Sequence, residues 1–148
     1  MQVIATGKTL GATIDGMNLS AALSANEVAD VKRALGEYGV LRFPRQQLTA
    51  QQLVDFSACF GKLEINVANS YQEPGLPQIM ILSNMVENGR PIGLSDAGQS
   101  WHTDMSYSKT IAFANVLYGI KIPVRDGKTL GNTEFCNMHA AYEGLSDE

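Results

Sequence analysis

Histidine is scarce in this chain: 148 residues contain two, His102 and His139. Any centre built on imidazole therefore has few donors to draw on. Cysteine is equally sparse. Cys59 and Cys136 stand far apart, without the spacing of a disulfide framework or a zinc knuckle, and they read as reduced thiols of a cytoplasmic protein. Charged residues make up 18%, below the usual quarter or so, which suggests that part of the surface is meant to be covered. The net charge is −4, with both signs interspersed. No basic patch with interleaved aromatics occurs, so nucleic-acid binding has little support. Long apolar runs are missing too. A stretch such as Ile79-Met80-Ile81-Leu82 is far short of the roughly 20 residues needed to cross a bilayer, so no membrane association is expected. The first residues, Met1 to Lys8, lack the charged leader and apolar region of a secretory signal. There is no internal repeat, low-complexity tract or linker-like run, and the length fits one domain.

What is present reads as alternating short elements. Leu10-Gly11-Ala12-Thr13-Ile14 predicts an early strand ending at Asp15-Gly16. Ser24-Ala25-Asn26-Glu27 has the S-x-x-E form of a capping box. After it Val28, Val31, Leu35 and Tyr38 fall on one helical stripe, and Gly39 supplies the stop. Val40 to Phe43 predicts a short strand closed by Pro44. Thr49-Ala50-Gln51-Gln52 repeats the capping logic, opening a second helix with Leu53, Phe56 and Phe60 inward and Gly61 at its end. Further on, Ile79 to Leu82 reads as a buried strand and Met85 to Gly98 as a loop. Ile111 to Ile122 is a long β-prone run, and Thr133 to Cys136 a short one. Asn137 then caps a closing helix through Ala140, Ala141 and Leu145. The pattern is α+β, with helices packed on a sandwich or barrel of short strands. A jelly roll needs about eight strands, more than can be found here, so the core is expected to be incomplete. Unpaired strand edges would remain.

The most informative local feature is Trp101-His102-Thr103-Asp104. Alternate side chains on an extended backbone point the same way, so His102 and Asp104 can converge on one ion. One neutral nitrogen and one anionic oxygen suit a divalent first-row metal, and a second histidine would complete the facial triad of a non-haem Fe(II) site. Taken bare, the same pair also describes a hydrogen-bonded surface feature. Its position after a Gly/Asn/Pro-rich loop and before a β-prone segment favours an open site. A zinc hydrolase built on this pair would lack a general base at motif spacing.

The wider pattern resembles the TauD/TfdA family of Fe(II)- and 2-oxoglutarate-dependent dioxygenases. Matching residues include Leu10-Gly11-Ala12-Thr13-Ile14-Asp15-Gly16 with Leu19, Tyr38-Gly39-Val40-Leu41-Arg42-Phe43-Pro44, and Phe60-Gly61 before Leu63. Trp101 to Tyr107 carries the core motif. Gly131-Asn132-Thr133-Glu134-Phe135, Asn137-Met138, Ala140-Ala141-Tyr142 and Leu145 follow. The likeness runs through essentially all of residues 1–148, which would form a single partial domain, the N-terminal portion of the family's own.

The resemblance implies a double-stranded β-helix (jelly-roll) core with the N-terminal helices packed on it. It also implies oxidation of a small organic acid, with release of succinate and CO2, using Fe(II), 2-oxoglutarate and O2. His102 and Asp104 would be two iron ligands, and Thr133 would contact a carboxylate of 2-oxoglutarate; an ordinary strand threonine is the plainer reading of Thr133. About four extra residues within Arg125 to Leu130 would lengthen the loop before it. Asn66, Asn69, Gly98 and Met105 would border the substrate, Asn66 and Asn69 standing where taurine-type enzymes carry histidine and tyrosine. Trp101 and Tyr107 are expected to pack in the core. The family's distal histidine and arginine have no counterpart in this chain. His139 falls at a helix start and Arg125 in a loop, neither a convincing replacement, so activity of this chain alone is in doubt. The competing reading is a non-catalytic truncated relative acting as a binding or assembly module. A homo-oligomer stays open.

Overall fold

Two capping boxes organise the helices, as their sequences predict. The computed structural model describes residues 1–66 and 69–146. Ser24 Oγ accepts from the Glu27 N–H at 3.3 Å, and the Glu27 carboxylate accepts from the Ser24 N–H at 2.8 Å. Helix α1, Ala25–Tyr38, starts there. Thr49 and Gln52 make the same reciprocal pair at 3.2 and 2.8 Å, opening α2, Ala50–Ala58. Each box satisfies two N–H groups that the first helical turn leaves without a partner. Gly39 ends α1 at φ 68°, its N–H bonded to the Leu35 carbonyl at 2.8 Å. A side chain would strain that left-handed position.

The chain divides into two compact units, residues Met1–Gln47 with Leu117–Glu148, and residues Leu48–Val116. In the first, β1 (Gln2–Ala5) pairs antiparallel with β2 (Ala12–Asp15), which pairs parallel with β3 (Leu41–Arg42). Parallel neighbours need a crossover, and α1 supplies it. Alternation along β2 turns Ala12 and Ile14 inward, where they join Met17, Leu19, Val31 and Ala34 as the buried core. Gln46 braces the loops beside this sheet. Its side chain accepts from the Leu19 N–H and donates to the Met17 and Pro44 carbonyls. The later part of the unit adds the hairpin β8 (Val124–Arg125) and β9 (Lys128–Thr129), and a short helix α3, Met138–Glu143, capped by Asn137.

In the second unit α2 packs against β5 (Leu76–Met80), which pairs antiparallel with β4 (Gln72–Glu73). Phe56 is buried and meets Phe60 edge-on, ring centroids 5.2 Å apart. A second hairpin joins β6 (Val86–Glu87) to β7 (Arg90–Pro91).

Several expectations need correction. The predicted loop Met85 to Gly98 contains the β6–β7 hairpin, and the extra residues of Arg125 to Leu130 form the tip and return strand of β8–β9. Asn88-Gly89 and Asp126-Gly127 both sit at positive φ (50° and 75°, 51° and 75°), the demand of a two-residue type I′ turn that Asn-Gly and Asp-Gly meet best. Ile111 to Ile122 and Thr133 to Cys136 form no strand among the described residues. β-Propensity describes fit to a pleated, half-buried surface. Here Ile111, Phe113, Leu117 and Ile120 remain exposed, without a ladder to join. Small sheets result, and no barrel is closed among the described residues.

Replacing Ser24 with Ala should destabilise α1 by about 1 kcal/mol, measured by urea unfolding followed through helical circular dichroism. The Ser24 N–H, and then its hydroxyl, hold the Glu27 carboxyl below its ordinary value. A depressed carboxylate contributes fully above the unfolded value and loses that contribution as pH falls through the folded one. The stability gap between wild type and Glu27→Gln should therefore close on acidification below the usual glutamate range.

Candidate metal centre

His102 and Asp104 lie in the second unit, and the structure brings them together. A parallel bridge pairs Leu82 with Leu94: the Ser83 N–H reaches the Leu94 carbonyl at 3.0 Å, and the Leu94 N–H reaches that of Ile81 at 2.9 Å. Gly93 makes this approach possible. It is buried, and a Cβ there would stand 2.8 Å from both Ile81 O and Ser83 N. From this anchor residues 95–100 lead into the motif. Directly after it the backbone turns sharply. Met105 sits at φ 60°, a left-handed conformation costing an ordinary residue about 1–2 kcal/mol, and the Ser108 N–H closes on the Met105 carbonyl at 3.0 Å.

Within that turn each side chain has a defined partner. His102 Nδ1 lies 2.6 Å from the Ser100 carbonyl oxygen. A carbonyl can only accept, so Nδ1 carries the hydrogen, and in a neutral ring Nε2 holds a lone pair. Nε2 stands 3.3 Å from Asp104 Oδ1, an acceptor as well. Two lone pairs facing each other call for a cation between them, a proton on Nε2 or a metal ion. The second oxygen, Asp104 Oδ2, accepts from Asn115 Nδ2 at 2.7 Å. Both side chains are 53% exposed, so the gap between them is open to solvent.

The donor set fits a divalent metal. A neutral imidazole and an anionic oxygen are its usual ligands. Their 3.3 Å separation is less than the sum of two metal–ligand bonds of about 2.1 Å each. Among the described residues no third histidine, cysteine, aspartate or glutamate joins the pair.

The other expected site residues are placed less tightly. Met105 adjoins Asp104, half-buried, its sulfur accepting from the Tyr107 hydroxyl at 3.4 Å. Gly98 is exposed at φ 76°, and Asn66 is exposed. Asn69 opens a short 3-10 turn, Asn69–Tyr71, but its side chain lies outside the described residues. Thr133 belongs to the first unit, in an exposed segment after Gly131. His139 is exposed on α3 of that unit, and Arg125 is a strand residue of β8. Trp101 and Tyr107, expected in the core, are 70% and 67% exposed. Trp101 precedes, and Tyr107 lies within, the turn closed by the Ser108 N–H on the Met105 carbonyl. The contact of Asn115 with Asp104 was not anticipated. Only the folded turn brings an amide eleven positions downstream back to Asp104.

The family model described as "Taurine catabolism dioxygenase TauD, TfdA family" matches residues 3–148. The chain belongs to this family. Pentalenolactone F synthase of Streptomyces arenae is 31% identical over 144 residues, which cover 96% of this chain and 47% of the synthase. The alpha-ketoglutarate-dependent 2,4-dichlorophenoxyacetate dioxygenase of Burkholderia sp. (strain RASC) is 32% identical over 145 residues, 91% of this chain and 48% of that enzyme. Among solved structures, a taurine dioxygenase from Burkholderia xenovorans aligns with a TM-score of 0.49 at 34% identity, over 51% of this chain and 27% of its own. The chain spans about half the length of the curated relatives it matches. No helix among the described residues is long and apolar enough to cross a membrane.

Gly93 offers a test of how the motif is anchored. Gly93→Ala should destabilise the second unit by about 1–3 kcal/mol, as overpacking against backbone does. Hydrogen exchange should show the Leu94 and Ser83 amides losing protection together. Unchanged protection would mean that the bridge does not hold this loop.

Proposed function

We propose that this chain carries the first metal-binding part of an Fe(II)- and 2-oxoglutarate-dependent dioxygenase acting on a small organic acid. The observation that carries the reading is the disposition of His102, whose Nδ1–H is committed to Ser100 and whose Nε2 lone pair faces Asp104 Oδ1 at 3.3 Å. Family membership supports it, as do relatives named for alpha-ketoglutarate-dependent dioxygenation of an aryloxy acid. His102 and Asp104 would hold Fe(II), which with 2-oxoglutarate and O2 would supply the oxidising power for substrate oxidation, with succinate and CO2 as the co-products.

The rest of the chemistry belongs to the chain. Ser100 fixes the imidazole's orientation through its carbonyl, and Asp104 contributes the negative charge that favours a dication. The Thr133 hydroxyl would donate to a carboxylate of 2-oxoglutarate, since it is small enough to do so without filling the site. Asn66, Asn69, Gly98 and Met105 would border the substrate, and Met105 adjoins the ligand in sequence and space. The double-stranded β-helix is the architecture in which these parts would converge, with residues 1–148 as one partial domain of it. A cytoplasmic setting fits the two unpaired cysteines. Neither nucleic acid nor membrane figures among the partners, and self-association is compatible with the exposed apolar residues.

Titration with Mn(II), followed by loss of the free-ion electron paramagnetic resonance signal, tests the centre. With two ligands among the described residues where the facial triad uses three, binding should be weak but specific. His102→Ala and Asp104→Ala should each weaken it about tenfold or more, the least expected when a first ligand goes and partners of ligands already matter at that scale. Binding unaltered by both substitutions would overturn the assignment. Succinate release by the chain supplied with Fe(II), 2-oxoglutarate and aryloxy acids should stay near background, and robust turnover would overturn the two-ligand description.

A further inference from the structure

We propose that Asn115 is a positioning residue for the Asp104 carboxylate, holding one oxygen so that the other alone is presented to the metal; this rests on the metal reading of His102 and Asp104. The two oxygens of Asp104 have different surroundings. Oδ1 faces His102 Nε2 at 3.3 Å, while Oδ2 accepts from Asn115 Nδ2 at 2.7 Å. The terminal torsion of an aspartate is broad and roughly two-fold. On a side chain 53% exposed, water would otherwise leave it free to offer either oxygen or both. The Asn115 amide removes that freedom by occupying Oδ2. At His102 the Ser100 carbonyl engages the ring nitrogen that does not face the gap. Each ligand is thus gripped by the atom turned away from the ion, which is how outer partners orient metal ligands.

Asn115 also gives the segment after the motif a reason to lie where it does. Residues 111–116 form no strand, and Ile111 and Phe113 stay exposed, so apolar burial contributes little to bringing the segment near Asp104. A bond of 2.7 Å from a neutral donor to a carboxylate is of the stronger, charge-assisted kind. An amide in this place rather than a lysine or arginine leaves the charge of Asp104 unneutralised and available to a cation. The plainer role would be to brace the turn at Met105, and that role predicts lost stability without a separate loss of affinity.

The experiment uses the full 148-residue chain and Mn(II), with wild type, Asp104→Ala, Asn115→Leu, Asn115→Ser and Asn115→Gln measured together. Circular dichroism and urea midpoints report the fold of each. Leu keeps the volume and loses the donor, Ser is polar but too short to reach Oδ2, and Gln restores an amide. We expect Leu and Ser to weaken Mn(II) binding about 10- to 100-fold with unchanged urea midpoints, as partners of metal ligands do, and Gln to recover part of the loss. Co(II) absorption should also shift in the Leu and Ser variants, because a freed carboxylate can bind through both oxygens. Loss of binding in Asp104→Ala with none in Leu or Ser overturns the role of Asn115 and leaves the metal site standing. Affinity that falls only in step with the urea midpoint overturns it in favour of a brace. No effect of any substitution, Asp104→Ala included, overturns the metal reading and this inference together.

Discussion

An imidazole nitrogen facing a carboxylate oxygen at 3.3 Å is the constraint on which the functional reading turns. It arises from a hydrogen bond elsewhere on the ring. Because Nδ1 donates to the Ser100 carbonyl, a group that can only accept, Nε2 is the ring nitrogen turned toward Asp104. A nitrogen and a carboxylate oxygen this close are reconciled by a positive charge between them, a proton on Nε2 or an ion. The character of this centre therefore comes from the backbone immediately before the motif as much as from its two side chains.

That backbone is placed by close packing of main chain on main chain. The bridge between Leu82 and Leu94 needs a residue without a side chain at Gly93, where any Cβ would meet Ile81 and Ser83. The hairpin β6–β7 returns the chain to this bridge through Asn88-Gly89, and Met105 then reverses it past Asp104 at positive φ. Hydrophobic burial in this unit is thin, with Phe56 its one buried large side chain among the described residues. Its conformation rests more on hydrogen bonds and on the few residues that tolerate left-handed backbone than on a packed interior.

Legibility in the sequence follows from the same physics. Local, self-contained signals read correctly: Ser24 with Glu27, Thr49 with Gln52, Asn137 ahead of Met138, and Gly39 as a stop each need only a few neighbouring residues to act. The dipeptides Asn88-Gly89 and Asp126-Gly127 carried an equally local signal for hairpins, but polar composition made them look like loops. Ile111 to Ile122 misled for the opposite reason. Its residues favour a strand only where another strand accepts them, and such pairing is a tertiary property. The proximity of His102 and Asp104 was readable because two-residue spacing suffices to bring their side chains together. Asn115 was not, since its contact depends on a turn at Met105 that nothing about a methionine announces. Family kinship was legible because it summed many weak matches over residues 3–148.

The turn does not draw its stability from the ion pair that it shapes. An ion pair between side chains this exposed is worth about 0–1 kcal/mol, while a left-handed methionine beside it costs about 1–2 kcal/mol. The pair on its own does not offset the strain that shapes it. Strained backbone of this kind persists where it orients functional groups. Here it sits one residue after Asp104, where relaxing it would swing the carboxylate away from His102. Both side chains of the pair are held on the atom turned away from the other, His102 by the Ser100 carbonyl and Asp104 by the Asn115 amide, so the 3.3 Å approach is fixed from both sides.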